Sequence, residues 1–282
     1  DAYVDHPSFG VAIISRVLEA AGYRVAILAQ PNWKTLDDVK RFGKPRLGFL
    51  VTAGNVDSMV SHYSVTRHRR SYDYYSPGGK TGLRPDRATI VYSNLIRQAY
   101  GDVPIIIGGG PCVFNSEPVA DFFDVFVPGD GEEAILTLCD IYIKHKKTGL
   151  DKNAFLRELA ETDGFYVPSL YTVNYHPDGR VAKTVALDGV PEKVKRNILT
   201  DFDGAFMITR PVVPFVNTVH ARCTLEIMRG CTRGCRFCQA GYIYRPVRER
   251  SAERILREAE AVIDSTGYDE ISLASLSSGD YS

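Results

Sequence analysis

Apolar and polar positions along this chain alternate in two rhythms. From Gly10 to Ala21, the residues Ile13, Ile14, Val17, Leu18 and Ala21 fall on one helical face, and Gly22 follows as a C-cap. Tyr23 to Ala29 then reads as a buried strand, and Arg46–Thr52, Val103–Ile107 and Asp124–Val127 are three more short apolar runs. Helical patterns lie between them, over Asp86–Tyr100 and from Glu132 to about Lys146 after the Gly129-Asp130-Gly131 turn. Wholly apolar strands separated by helices predict a doubly wound parallel sheet, with any ligand in the crevice beyond the strands' carboxyl ends.

Asp151–Asp163 predicts one more helix, after which the texture changes. Gly164–Leu187 alternates with period two around Pro177-Asp178-Gly179, a hairpin with its turn at the tip. Pro-rich sequence continues through Pro214, so residues 151–222 read as a connector with its own small sheet. Strand, helix and strand then resume. Thr224–Met228 is a strand, and Ser251 N-caps a helix whose apolar face is Ile255, Leu256, Ala259, Val262 and Ile263. Gly267 closes that helix and Glu270–Leu276 is the next strand. The loop after the first strand of such a βα unit is where parallel α/β barrels keep their chemistry.

Composition narrows the classes. The chain has 282 residues, 44% hydrophobic and 24% charged, as in ordinary globular proteins. With 34 basic and 34 acidic residues its formal net charge is zero, which argues against a protein that coats nucleic acid or an anionic membrane. No apolar run approaches the roughly 20 residues needed to span a bilayer, and no signal-peptide pattern opens the sequence. The expectation is a cytoplasmic protein with no membrane partner. The sequence starts at Asp1 and stops just after an apolar strand, so both ends read as cut and the last domain as unfinished. A basic, aromatic stretch, Arg67-His68-Arg69-Arg70 followed by Tyr72, Tyr74, Tyr75 and Lys80, could stack on nucleic acid. A solvated irregular insertion is the preferred reading, because no RNA-binding motif accompanies it.

Six cysteines in a long chain without an export signal do not suggest a disulfide framework. Three of them, Cys231, Cys235 and Cys238, form C-x3-C-x2-C, while Cys112 and Cys139 read as small buried residues. Gln239, Ala240 and Gly241 follow the third cysteine, so a four-cysteine ferredoxin run is not met. Structural zinc wants four closed ligands; Cys223 or one of the histidines could supply a fourth, but Cys223 lies at the opposite end of the preceding strand. A cluster held by three thiolates instead leaves one iron open to a small molecule.

This loop resembles that of the radical S-adenosylmethionine (radical SAM) superfamily, whose hallmark is C-x3-C-x-aromatic-C. Phe237 is the aromatic, and the basic stretch Arg245–Arg250 and a helix follow it. The resemblance implies that Cys231, Cys235 and Cys238 ligate three irons of a 4Fe–4S cluster. Its fourth iron would chelate the methionine end of S-adenosylmethionine (SAM), and reduction would release a 5′-deoxyadenosyl radical that takes a hydrogen from substrate. It also implies a cofactor-binding role for Phe237. Ser277, Ser278, Gly279 and Asp280, at the end of the second strand, would meet the methionine amino group, although the usual G-G-E is absent; an ordinary polar strand exit is the alternative.

The N-terminal part is similar to the cobalamin-binding-like Rossmann domains that precede many radical SAM barrels. Residues 1–109, with Asp1–His6, Val51–Asn55 and Arg84–Arg87, look like the YgiQ family of radical SAM proteins. Residues 108–282, with Gly109–Phe114, Pro118–Phe122, Gly129–Glu132 and the cysteine loop, look like a second radical SAM family. The seam falls at Ile105–Gly110. A D-x-H-x-x-G cobalamin signature is not met by Asp5, His6 and Gly10. Cobalamin held without a protein ligand is compatible with Gly108–Gly110 and Gly129–Glu132, but tight strand-to-helix turns are preferred there.

The fold class expected is therefore α/β: a Rossmann-like parallel-sheet domain (1–150), a β-hairpin connector (151–222) and the first βαβ portion of a radical SAM partial barrel (223–282). The expected activity is reductive SAM cleavage directed at an unknown substrate, RNA or protein by analogy, with a flavodoxin or ferredoxin as electron donor. A chain with so little of the barrel is expected to be inactive by itself. The competing reading is a non-catalytic zinc module, completed by Cys223, that contacts nucleic acid through the basic tyrosine-rich stretch.

Overall fold

The computed structural model describes residues 10–54, 56–101, 105–149, 151–214 and 221–282. Asp5, His6, Asn55, Val103 and Pro104 lie outside the described residues. In chain order the helices and strands are α1 (Gly10–Ala20), α2 (Asp37–Lys40), β1 (Phe49–Leu50), α3 (Ser58–His62), α4 (Ala88–Tyr100), β2 (Ile106–Gly108) and β3 (Val125–Phe126). Then come α5 (Glu132–Thr148), α6 (Lys152–Glu161), β4 (Tyr171–Tyr175), β5 (Val181–Ala186), β6 (Cys223–Glu226) and β7 (Met228–Arg229). The last are α7 (Ala240–Ile243), β8 (Arg248–Glu249), α8 (Ala252–Thr266) and β9 (Ile271–Ala274). The chain forms two compact units: one takes in residues up to Asp38, Thr52–Ala88 and Leu199–Ser282, the other Val39–Val51 and Thr89–Ile198. No helix among the described residues is long and apolar enough to cross a membrane.

The second unit holds a parallel sheet in the order β1-β2-β3, with Phe49 opposite Ile106 and Ile107 opposite Val125. Ile105–Ile107 and Val125–Val127 are all buried, which is why these runs carry no polar residue. Gly108 is required by packing: a Cβ there would lie 2.6 Å from the Phe126 ring. Asp124 joins the elements, accepting from the Ile106 N–H at 2.6 Å and pairing with Lys152 at 2.8 Å. Helices α5 and α6 bury Ala134, Ile135 and Leu138 with Phe155, Leu156 and Leu159, and His145 meets Glu158 at 2.6 Å between them. Asp151 caps α6, and Gly149 in the left-handed region ends α5. The alternating segment forms the expected antiparallel hairpin, β4 with β5.

The sequence pattern overestimates strand. Tyr23–Ala29 forms no strand, and Arg46–Thr52 contracts to the two residues of β1. Both runs have apolar composition, but a strand also needs a hydrogen-bonded neighbour. β1 sits at the sheet edge, and Leu50 is already 48% exposed. Cys112 also departs from expectation: it is exposed, in a one-turn 3₁₀ segment with no buried residue, whereas Cys139 is buried on α5.

In the first unit, β6 and β9 pair in parallel with α8 between them in sequence. Cys223, Leu225, Ala259 and Val262 form the core of this βαβ element, with Met207, Ile255 and Tyr268 against it. The α8 boundaries are those the sequence predicts: Ser251 accepts from the Arg254 N–H, and Gly267 is left-handed. The predicted apolar face of α8 is narrower, with Leu256 66% exposed.

The same unit buries an ionic network under the basic stretch. Arg84 donates to both Asp73 oxygens at 3.1 and 2.9 Å, with both side chains 1% exposed. His62, also buried, donates through Nδ1 to the Asp86 carboxylate at 2.8 Å, and its other ring nitrogen lies 3.6 Å from Asp73. The Arg84 guanidinium covers the Tyr75 ring at 5.5 Å, while Tyr72 and Tyr74 are exposed. Burial pushes Asp73 up, but hydrogen bonds from Arg84, Ser76 and the Tyr75 N–H outweigh it and hold its carboxyl below the usual range. A lowered folded pKa stabilises above the unfolded carboxylate value of about 3.9 and loses that stabilisation as pH falls through the folded value. Asp73→Asn, which leaves Arg84 buried without its partner charge, is expected to cost about 3–5 kcal/mol at pH 7. Urea denaturation checks this: the gap between wild type and variant is expected to shrink at pH 3, and an equal gap at both pH values contradicts it.

Candidate metal centre

The cysteines stand on an excursion whose two legs are zipped together. Thr224–Met228 reads as one strand in the sequence but serves two ladders. β6 pairs with β9 up to Glu226, and the Ile227 N–H still donates to the Ala274 carbonyl at 3.0 Å. The chain then becomes β7, antiparallel to β8, with Met228 opposite Glu249 and Arg229 opposite Arg248. The Arg250 N–H closes the base by donating to the Ile227 carbonyl at 2.9 Å. Gly230 follows at φ +98°, and a Cβ there would lie 2.6 Å from the Pro246 carbonyl oxygen and 2.8 Å from that of Tyr244. Only glycine lets the outgoing and returning chains cross this closely.

Charged side chains brace the neck. Arg229 forks onto Glu226 at 2.9 and 2.8 Å, the bidentate arrangement that fixes a guanidinium best. Arg248 donates to the carbonyls of Leu199 at 2.9 Å, Pro246 at 3.2 Å and Tyr244 at 3.4 Å. The basic stretch after the cysteines is therefore a set of main-chain braces as well as positive charge.

Beyond the neck, Cys231 and Cys238 are partly buried, Cys235 is exposed, and all three thiols are free. The Arg233 N–H points to Cys231 Sγ at 3.5 Å, and the Cys238 N–H donates to the Cys235 carbonyl at 3.0 Å. No three His, Cys, Asp or Glu side chains among the described residues are drawn together at metal-holding distance. The loop presents three soft donors without assembling them into a cage. Its chemistry fits a thiophilic metal or iron–sulfur centre, because the donors are soft, not joined in disulfides and carried on one short segment. Cys223 does not join them: it is 1% exposed in the βαβ core, and burial pushes its thiol up. Burial and Asp140 similarly push Cys139 up to about 11.

The end of β9 comes to this loop. Arg233 donates through Nε to Asp280 Oδ2 at 2.6 Å, and its Nη2 bonds Asp280 Oδ1. Ser277 Oγ donates to the same Oδ2 at 2.7 Å, and the Ser275 and Ser278 hydroxyls share a bond at 2.8 Å. The hydrogen bond from Arg233, then that from Ser277, holds the Asp280 carboxyl below its usual range, and Asp280 in turn raises Arg233. Gly279 has open space around its Cα, and the Tyr281 hydroxyl ties the segment back by donating to the Arg250 carbonyl at 2.6 Å. The sequence-predicted residues Ser277, Ser278 and Asp280 thus sit together beside the cysteine loop. Phe237 is 91% exposed. Sequence reasoning missed Arg233, whose only signal is a cation placed inside C-x3-C, and the Glu226 fork.

Known families match the chain in three stretches. A model described as "Radical SAM N-terminal" matches residues 1–112, "Radical SAM proteins, N-terminal" matches 86–168, and "Radical SAM superfamily" matches 225–281. The first two overlap across Gly108–Gly110, where the two resemblances meet. A "UPF0313 protein" of Clostridium botulinum (strain Okra / Type B1) is 34% identical over 314 residues, covering 92% of this chain and 48% of that protein. A "UPF0313 protein" of Clostridium perfringens (strain SM101 / Type A) is 36% identical over 324 residues, covering 96% and 48%. The chain spans about half the length of the curated relatives it matches.

The neck geometry gives a direct test. Gly230→Ala combines a positive φ with a carbonyl clash and is expected to cost about 1–3 kcal/mol in urea denaturation. Unchanged stability would mean that the chains do not cross at Gly230.

Proposed function

The chain belongs to the radical SAM superfamily, and we propose that its cysteine loop holds a 4Fe–4S cluster used in reductive cleavage of SAM. One observation carries this reading: three free thiols stand on a single zipped loop, clipped through Arg233 and Asp280 to the exit of the parallel strand β9. When bound, the cluster supplies the electron that cleaves SAM to a 5′-deoxyadenosyl radical. The remaining work belongs to the chain. Cys231, Cys235 and Cys238 as thiolates hold three irons. Asp280 offers a carboxylate acceptor suited to an amino N–H, and Ser277 and Ser278 add hydroxyls beside it. Gly279 leaves room at the backbone for a ligand to approach. Phe237, exposed and apolar, offers a face against which an adenine can stack.

The division into a cobalamin-binding-like domain, a connector and a barrel start belongs to the same proposal, as does a cytoplasmic setting with a flavodoxin or ferredoxin donor. RNA or protein is the proposed substrate class, on analogy alone. The zinc alternative loses support because Cys223, its fourth ligand, lies in the core under α8.

Anaerobic reconstitution with iron and sulfide tests the reading. A brown protein with a broad absorption band near the blue-violet edge is expected, and the band should disappear in Cys235→Ala. Stoichiometric zinc and no cluster would overturn it. Release of 5′-deoxyadenosine under reducing conditions is expected from a whole UPF0313 relative and not from this chain alone.

A further inference from the structure

The segment 199–205, far from the cysteines in sequence, holds both legs of their loop. The Leu199 carbonyl accepts from Arg248 at 2.9 Å, and the Ala205 carbonyl accepts from Arg250 at 3.4 Å and Arg254 at 3.2 Å. Asp203 accepts from the Ser251 N–H at 2.7 Å and from its hydroxyl, so it also fixes the start of α8. Between these lies Phe202, 2% exposed. Three guanidinium carbons stand over its ring, those of Arg250 at 4.2 Å, Arg229 at 4.9 Å and Arg248 at 6.0 Å.

Arg229 and Arg248 are the paired residues of the β7–β8 ladder, one on each leg. Glu226 pairs with Arg229 and Asp203 lies in the field of Arg250, yet three guanidinium groups still crowd one small volume, where like charges repel. A buried phenyl face offsets part of that repulsion, because its quadrupole is negative where the cations sit and it displaces water from between them. A two-residue ladder has little hold of its own. The ring therefore supplies a shared contact that the ladder needs in order to stay in one register.

We infer that Phe202 is a positioning residue for the cysteine loop: its ring collects Arg229, Arg248 and Arg250 and so fixes where the chain enters and leaves the three thiols. The inference rests on the proposed function only for what the loop holds, not for how it is held.

Amide hydrogen exchange on the metal-free chain tests it. Phe202→Leu keeps an apolar side chain but removes the ring face, and Phe202→Tyr keeps the face. Exchange in peptides covering 228–250 is expected to be at least tenfold faster in the leucine variant and close to wild type in the tyrosine variant. Peptides covering β2 and β3 should be unchanged in both. After reconstitution with iron and sulfide, the leucine variant should bind less than half the wild-type iron and the tyrosine variant nearly all of it. Phe202→Met, which fills space with a flexible chain, repeats the comparison should the leucine variant not fold. Exchange and iron content equal to wild type in the leucine or methionine variant overturn the inference, as does a uniform rise in exchange across the whole chain. If wild type itself takes up no cluster while exchange still separates leucine from tyrosine, the inference stands and the proposed function falls.

Discussion

The antiparallel pairing of Met228–Arg229 with Arg248–Glu249 makes an independent loop out of the stretch that carries the cysteines. Without it, β6 would run into a long irregular connection before α8, and three thiols would be spread along a chain with no fixed entry or exit. With it, Ile227 can finish the ladder to β9 while the next residue begins a second ladder. Gly230 lets the legs cross at once, and the thiols project from a closed neck. The parallel pairing of β6 and β9 then decides what stands beside the neck, because it brings the β9 exit, and with it Asp280, within reach of Arg233.

Charge is used differently at two of the places where this unit concentrates it. Around Asp73 and Arg84 the ion pair is sealed, with 1% exposure on both sides, so its removal leaves a stranded charge. At the cysteine loop the pair is open: Arg233 is 63% exposed and Asp280 24%. Exposed pairs contribute little to stability. An open pair is suited to exchanging partners with a ligand that carries both an amino group and a carboxylate, which is the end of SAM that the proposed function assigns to this strand exit.

Much of the architecture is legible in the sequence because its signals are local. Ser251, Gly267, Asp151 and Gly149 mark helix ends through contacts within a few residues. The C-x3-C-x2-C spacing is likewise local, and the buried parallel strands Ile106–Gly108 and Val125–Phe126 announce themselves by unbroken apolar composition. What the sequence hides depends on partners far along the chain. Tyr23–Ala29 has strand composition and no ladder. Cys112 looks like a core residue but lies on an exposed turn. Phe202 is one aromatic among many until three arginines from beyond residue 228 are folded onto it. Of the candidate site, the three-cysteine spacing and the strand exit are readable, while the braces around them are not.

Anaerobic native mass spectrometry of the reconstituted chain tests the central claim most directly, because it weighs the metal centre and assigns its ligands together. The account predicts one added mass of four irons and four sulfides per chain. That mass should be lost in each of Cys231→Ala, Cys235→Ala and Cys238→Ala and kept in Cys223→Ala and Cys139→Ala. A zinc adduct, or a centre whose binding requires Cys223, would contradict it.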